Sequence, residues 1–151
     1  MNVVAPQANT TAEAAVRALL ERDAASRALG ITLETIRPGF TRLSMMVRPD
    51  MANGHGICHG GLIFALADTA CAFASNSHNA NAVTPSAQIN FVAPAKIGEM
   101  LVAEAVELSS TRRTGIYDVT VRRGDGDVVA LFRGNSYRIK GEVVDDLKKT
   151  P

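Results

Sequence analysis

Asp68 is the first residue on which chemistry can be argued. It is the single charged side chain in residues 60–77, a run made otherwise of Gly, Ala, Leu, Ile, Phe and small polar residues. Leu62, Ala65, Leu66, Thr69 and Phe73 recur at helical spacing, Ala67, Ala70 and Ala74 fill the other sides, and no proline intervenes. The pattern predicts a helix that is apolar nearly all round, and such a helix is normally buried. A carboxylate in its middle is costly to desolvate without a partner and its proton affinity is easily shifted, which makes it a candidate for chemistry. The plainer alternative is a lone Asp at a polar seam, bonded to a backbone group.

Gly60 and Gly61 open the same run. The first N–H groups of a helix have no intrahelical acceptor and carry partial positive charge, so they can hold an oxyanion or polarise a carbonyl. Glycine lets a ligand come close to that backbone, although it also simply relieves crowding where loop meets helix. Gly60 and Asp68 are eight residues apart, hence about 12 Å along the axis. One carbonyl cannot touch both on a single helix. If both act on one substrate, two helices run antiparallel beside each other, and the chain is a symmetric dimer with active sites at its interface.

Other groups offer less. Cys58 and His59 are adjacent, and neighbours in sequence rarely reach nucleophile–base geometry. The three histidines lack HExxH or other ligand spacing, so no metal is expected. Cys58 and Cys71 are thirteen residues apart; on or near one helix that is about 20 Å, too far for a disulfide.

These residues must be positioned by the rest of a 151-residue chain, the length of one domain with a real core. A net charge of +1 leaves no electrostatic footprint for nucleic acid or a membrane surface. Neither a signal peptide nor a membrane span is legible, so the cytoplasm is the expected compartment. Residues 1–10 read as a mobile N-terminus, residues 11–140 as the single domain and residues 141–151 as a charged tail with no evident task. Thr10 or Thr11 can cap a short helix that runs to about Ala28 and stops at Gly30. Strands are expected over about residues 31–37, 40–48, 83–93, 100–109, 115–123 and 128–139. Pro38-Gly39 and Gly124-Asp-Gly-Asp127 mark turns, and Pro85 and Pro94 favour an edge position for the third strand. One long apolar helix among five or six strands joined mostly by hairpins is an α+β arrangement, an antiparallel sheet curled around that helix.

Asn53 followed by His59-Gly60-Gly61-x-x-Phe64-x-Leu66-Ala67-Asp68 and Ala74-x-Asn76-Ser77 resembles the signature of hotdog-fold acyl-CoA thioesterases, above all the phenylacetic-acid-degradation (PaaI) type. The likeness continues through Ile89-Asn90-Phe91-x-x-Pro94-Ala95, Gly98-Glu99, Arg113-Thr114-Gly115 and Phe132-Arg133-Gly134, and so spans roughly Leu19 to Ile139.

The resemblance implies hydrolysis of small, arylacetyl-type acyl-CoA esters without a cofactor, coenzyme A being part of the substrate. It also implies a homodimer with one continuous sheet, usually paired again into a homotetramer. Residue by residue, it makes Asp68 the general base or nucleophile and Gly60 the N–H that polarises the carbonyl. Asn53 lies near the reacting group, Ser86 helps to position the water, and His59 sits beside the thioester with a role that could be structural. Gly61 allows close approach of substrate. Apart from the resemblance, Arg112, Arg113 and Thr114, on a turn, are candidates for the coenzyme A phosphates, although exposed arginines on turns are common; Phe64, Phe73 and Met45 could line an acyl pocket, and core packing explains them equally well. Two rivals stand beside this reading: a hotdog enoyl-thioester hydratase with His55 as base, and a non-catalytic acyl-CoA sensor.

Overall fold

The computed structural model describes residues 6–124 and 126–147. Its centre is helix α3 (Gly60–Asn76), which lies across the inner face of a six-stranded antiparallel sheet. The strands are β1 (Thr32–Arg37), β2 (Phe40–Met46), β3 (Ala80–Phe91), β4 (Met100–Ser110), β5 (Thr114–Arg123) and β6 (Asp127–Glu142), in the order β1-β2-β4-β5-β6-β3. This is the α+β hotdog arrangement expected. The third strand stands at the sheet edge, and its register with β6 shifts between Val83 and Ser86, around Pro85. Proline has no N–H to give to a ladder, so it suits that irregular edge.

The sheet meets α3 through small helical residues. Leu66, Ala67, Ala70, Cys71, Phe73 and Ala74 are buried against Leu43, Met45, Leu101, Ala103, Val119, Val121 and Phe132. Burying a side chain such as Leu66 contributes about 1.5–3 kcal/mol. The alanines let the strands close on the helix, and the buried Thr41 hydroxyl is satisfied by donating to the Ala70 carbonyl at 2.8 Å. Thus Leu43, Met45 and Val47 face inward as their alternation predicts.

The expected all-round burial of α3 does not hold in the single chain. Leu62, Phe64, Ala65, Asp68, Thr69 and Ala72 are only partly covered, because the sheet curls past one side of the helix and ends at the edge strand β3. Asp68 lies on that open side.

The N-terminal segment also differs from expectation. Helix α1 runs over Pro6–Arg22 and a separate short helix α2 over Ala24–Ala28. Pro6 can open a helix because the first N–H groups have no partner there anyway. Thr10 and Thr11 therefore lie inside α1, and residues 6–10 are helical rather than irregular; residues 1–5 lie outside the described residues. The break comes at Asp23, whose carboxylate accepts from Ser26 N at 2.9 Å and Ser26 Oγ at 2.6 Å and so caps α2.

At the other end, β6 runs to Glu142, and the segment after it is held rather than trailing. Asn79, in the left-handed conformation at φ 65°, donates through Nδ2 to the Val144 carbonyl and accepts the Val144 N–H, both at 2.9 Å. Val143 is buried, and Arg22 donates to its carbonyl at 3.1 Å. The expected charged tail thus begins with a docked segment; residues 148–151 lie outside the described residues.

Candidate active site

The start of α3 is built by the loop before it. Asn53 Oδ1 accepts from His55 N at 2.9 Å and Ile57 N at 3.3 Å, and Asn53 N donates to the Ile57 carbonyl at 2.7 Å. This closes a tight loop in which Gly56 takes φ 75°. Cys58 N then donates to Ala95 O, and His59 N to Met51 O, each at 2.8 Å. With its oxygen spent on the loop, Asn53 keeps its Nδ2 donor without a protein partner among the described residues.

His59 is the N-cap of α3. Its Nδ1 accepts the Gly61 N–H at 2.9 Å, and its carbonyl accepts the Leu62 N–H at 2.9 Å. A ring nitrogen that accepts a hydrogen bond is unprotonated, so the imidazole carries its proton on Nε2. The Gly60 N–H remains without a protein acceptor among the described residues. A cavity of about 360 Å³ borders this point, lined among others by Asn53, Ile57, Gly60, Ile63, Phe91 and Pro94. The Phe91 ring lies over Gly60, since a Cβ built there would be 3.1 Å from Phe91 Cζ.

Asp68 is elsewhere. It does not line that cavity, and its carboxylate has no hydrogen-bond partner among the described residues. Burial pushes its pKa above the ordinary 3.8. Strand β3 runs along α3 with Thr84 beside Cys71 and Phe91 over Gly60, so Ser86 falls at about the level of Asp68. Ser86 is exposed on the edge strand and accepts from Asn135 Nδ2 at 3.0 Å. Asn53, His59, Gly60 and Gly61 therefore gather at the helix start, and Asp68 and Ser86 form a second group two turns further on.

Arg112, Arg113 and Thr114 sit together, exposed, in the β4–β5 turn, where Thr111 Oγ1 accepts the Thr114 N–H at 3.1 Å. Register pairs Thr114 with Tyr137, and Tyr137 with Val83. The turn is thus at the opposite end of the sheet from Phe91 and from the chain's own Gly60. His55 is exposed, its backbone used by the loop, and it does not line the cavity. Among the described residues no three His, Cys, Asp or Glu side chains gather as metal ligands. No described helix is long and apolar enough to cross a membrane.

For the residues considered for an acyl pocket, the packing favours the core alternative. Met45 and Phe73 are sealed in the core, and Phe64 stacks edge-on against Phe132 with ring centroids 5.4 Å apart. Core packing explains them: Phe73 of α3 and Met45 of β2 are buried in one core, and the half-buried Phe64 packs against it. Phe91 and Ile57, which do line the cavity, were not singled out. The signal for Phe91 was its place in the alternation Ala87, Ile89, Phe91, just before the chain leaves the sheet.

Comparison with known proteins shows the family. Residues 55–130 match the thioesterase superfamily. Over 129 residues the chain is 41% identical to the acyl-coenzyme A thioesterase PaaI of Escherichia coli K12, spanning 85% of this chain and 92% of that protein. The structure of the E. coli PaaI protein from the phenylacetic acid degradation operon aligns with a TM-score of 0.88 at 40% identity, over 89% of this chain and 97% of the other. The smu.793 protein of Streptococcus mutans, solved bound to acetyl CoA, aligns with a TM-score of 0.71 at 27% identity, over 74% and 90%. The chain belongs to the thioesterase superfamily. Within it, the similarity is to PaaI.

Proposed function

We propose that this thioesterase, of the PaaI type, hydrolyses small arylacetyl-type acyl-CoA esters to the free acid and coenzyme A in the cytoplasm. The observation that carries this is the free Gly60 N–H at a capped helix start beside a mainly apolar cavity. That is where a thioester carbonyl gains an oxyanion donor and its acyl group gains cover. The arylacetyl preference is supported by the likeness to PaaI, and acyl-CoA as the ligand class by the acetyl CoA bound to the S. mutans neighbour.

Two antiparallel α3 helices from two copies would bring one chain's Gly60 and Asn53 to the other's Asp68 and Ser86. The unpaired edge of β3 and the half-open side of α3 support such a homodimer, itself paired into a tetramer. In that setting the Asp68 carboxylate takes the proton from a water held by Ser86. The hydroxide adds to the carbonyl carbon, the oxyanion rests on the Gly60 N–H, and collapse releases the coenzyme A thiolate. Asp68 can instead attack directly, forming an acyl anhydride that water then cleaves. Thioesters have weak resonance stabilisation, so a base and an oxyanion donor suffice for either route. The β4–β5 turn, with Arg112, Arg113 and Thr114, would meet the coenzyme A phosphates from the far end of the sheet.

The test is free-thiol release from phenylacetyl-, hydroxyphenylacetyl-, benzoyl-, short linear and long-chain acyl-CoA, by the wild type and by Asp68→Asn. Turnover of the arylacetyl esters that collapses in a folded mutant supports the reading. Binding with no turnover anywhere in the panel would make the chain a sensor instead.

A further inference from the structure

Gly134, in the middle of β6, marks the closest approach of three elements. A Cβ built on it would lie 2.6 Å from Cys71 Sγ on α3, 3.0 Å from Phe132 Cε1 on the same strand and 3.3 Å from Thr84 Cγ2 on β3. Its backbone does not lie in the left-handed region, so conformation does not demand glycine there. Space does. Mid-strand glycine weakens a sheet, and its presence is explained where another part of the protein must come close. The Cys71 thiol, fully buried and beside the Thr84 side chain, occupies the volume in which any other residue at 134 would start its side chain.

The two residues that close on Gly134 neighbour, on α3 and on β3, the second half of the proposed site, Asp68 and Ser86. Cys71 is three residues after Asp68, within the same turn of α3. Thr84 is two residues before Ser86 on β3, at the register shift around Pro85. We propose that Gly134 is a positioning residue: its missing Cβ sets how deeply α3 and β3 seat against β6, and so where Asp68 stands relative to Ser86. The proposal rests on the reading that Asp68 and Ser86 act together on a thioester.

The size of the effect follows from the distances. Ordinary carbon contacts need about 3.5–4.0 Å, so a methyl at 134, 2.6 Å from the thiol, moves helix or strand by about 1 Å. A misplacement of that order can cost about 100-fold in rate. The helix start lies more than two turns away and keeps its cap.

The experiment compares Gly134→Ala, Cys71→Ala and the double variant, with thermal unfolding recorded for each. Gly134→Ala is expected to lose about 10- to 100-fold in kcat with KM nearly unchanged. Cys71→Ala alone should stay close to wild type. The double variant should recover most of the lost kcat, because removing the thiol clears the 2.6 Å contact. A folded Gly134→Ala with wild-type kcat would overturn the proposal, as would a folded double variant that recovers nothing. Should Gly134→Ala fail to fold, the double variant decides by the same criterion, and Cys71→Val, which presses on the same point from the helix, must lower kcat. A wild type whose thioesterase activity is indifferent to Asp68→Asn would sink the underlying reading instead, whatever Gly134 does.

Discussion

His59 Nδ1 accepts the N–H of Gly61 at 2.9 Å, and the N–H of the residue between them has no acceptor among the described residues. The cap takes one donor of the first helical turn and leaves the neighbouring one, Gly60, as the donor proposed to meet the substrate. An N-cap to alanine change costs about 1 kcal/mol. His59→Ala is therefore expected to unfold at lower temperature and to lose several-fold in kcat, while His59→Ser, whose hydroxyl can cap, retains most of both. Melting curves and steady-state rates check this, and an unchanged melting temperature in His59→Ala would show that the cap contributes nothing.

Gly60→Ala separates folding from chemistry. Its methyl would stand 3.1 Å from the tip of the Phe91 ring, and that ring is 52% exposed and free to yield. Stability should change little. On the proposed reading the methyl nevertheless fills the space through which a carbonyl would reach the N–H, and steady-state rates should show kcat lowered by roughly 100- to 1,000-fold.

Asn53 can be dissected in the same way. Its Oδ1 holds the loop through His55 N and Ile57 N, and an Asp side chain supplies the same acceptor. Asn53→Asp should keep the melting temperature and lose activity, since it removes the Nδ2 donor and adds negative charge near the developing oxyanion. Asn53→Ala should lose both. Equal melting temperatures for the two variants would refute the loop-holding role.

Asp68 carries a pH signature. Burial raises its pKa above 3.8; with the carboxylate as the working form, as proposed, kcat/KM should fall with decreasing pH at a point above 3.8. The stability effect has the opposite sense. The folded chain binds this proton more tightly than the unfolded chain, so stability is lost as pH rises from 3.8 through the raised value. Asp68→Asn should be inactive by roughly 100-fold or more and more stable than wild type at neutral pH, the gain vanishing in acid. Denaturant melts of both proteins across pH 3–8 measure it.

The divided site is tested by mixing. Asp68→Asn and Gly60→Ala are each expected to be inactive as homodimers, whereas a hybrid holds one intact site. Co-refolded mixtures should regain up to about a quarter of wild-type activity, since half of the dimers are hybrids and each restores one of two sites. No recovery, with subunit exchange demonstrated by mass, would place Gly60 and Asp68 in unrelated sites.

The helix, the strands and their edge were legible because residues 60–77 and the β-hairpins are locally consistent: period, glycine and turn chemistry agree. The break at Asp23 was hidden because α1 and α2 share one amphipathic pattern and only the Asp23–Ser26 bonds interrupt it. The latch of Asn79 on Val144 spans 65 residues, and nothing local in a charged C-terminus announces it. In the site, Gly60 and Asp68 stood out by type and spacing. Phe91 and Gly134 did not, because their meaning lies in what crosses them from another element.

The position of β3 has a consequence for synthesis. Among the described residues its ladder partner is β6, so the strand that follows α3 has nowhere to pair until β4, β5 and β6 have been made. During that interval α3, apolar on most of its surface, is exposed together with a twelve-residue strand, and non-local pairing of this kind is slow and open to aggregation. A nascent chain stopped before β6 should therefore recruit chaperones, and one extended past β6 should not.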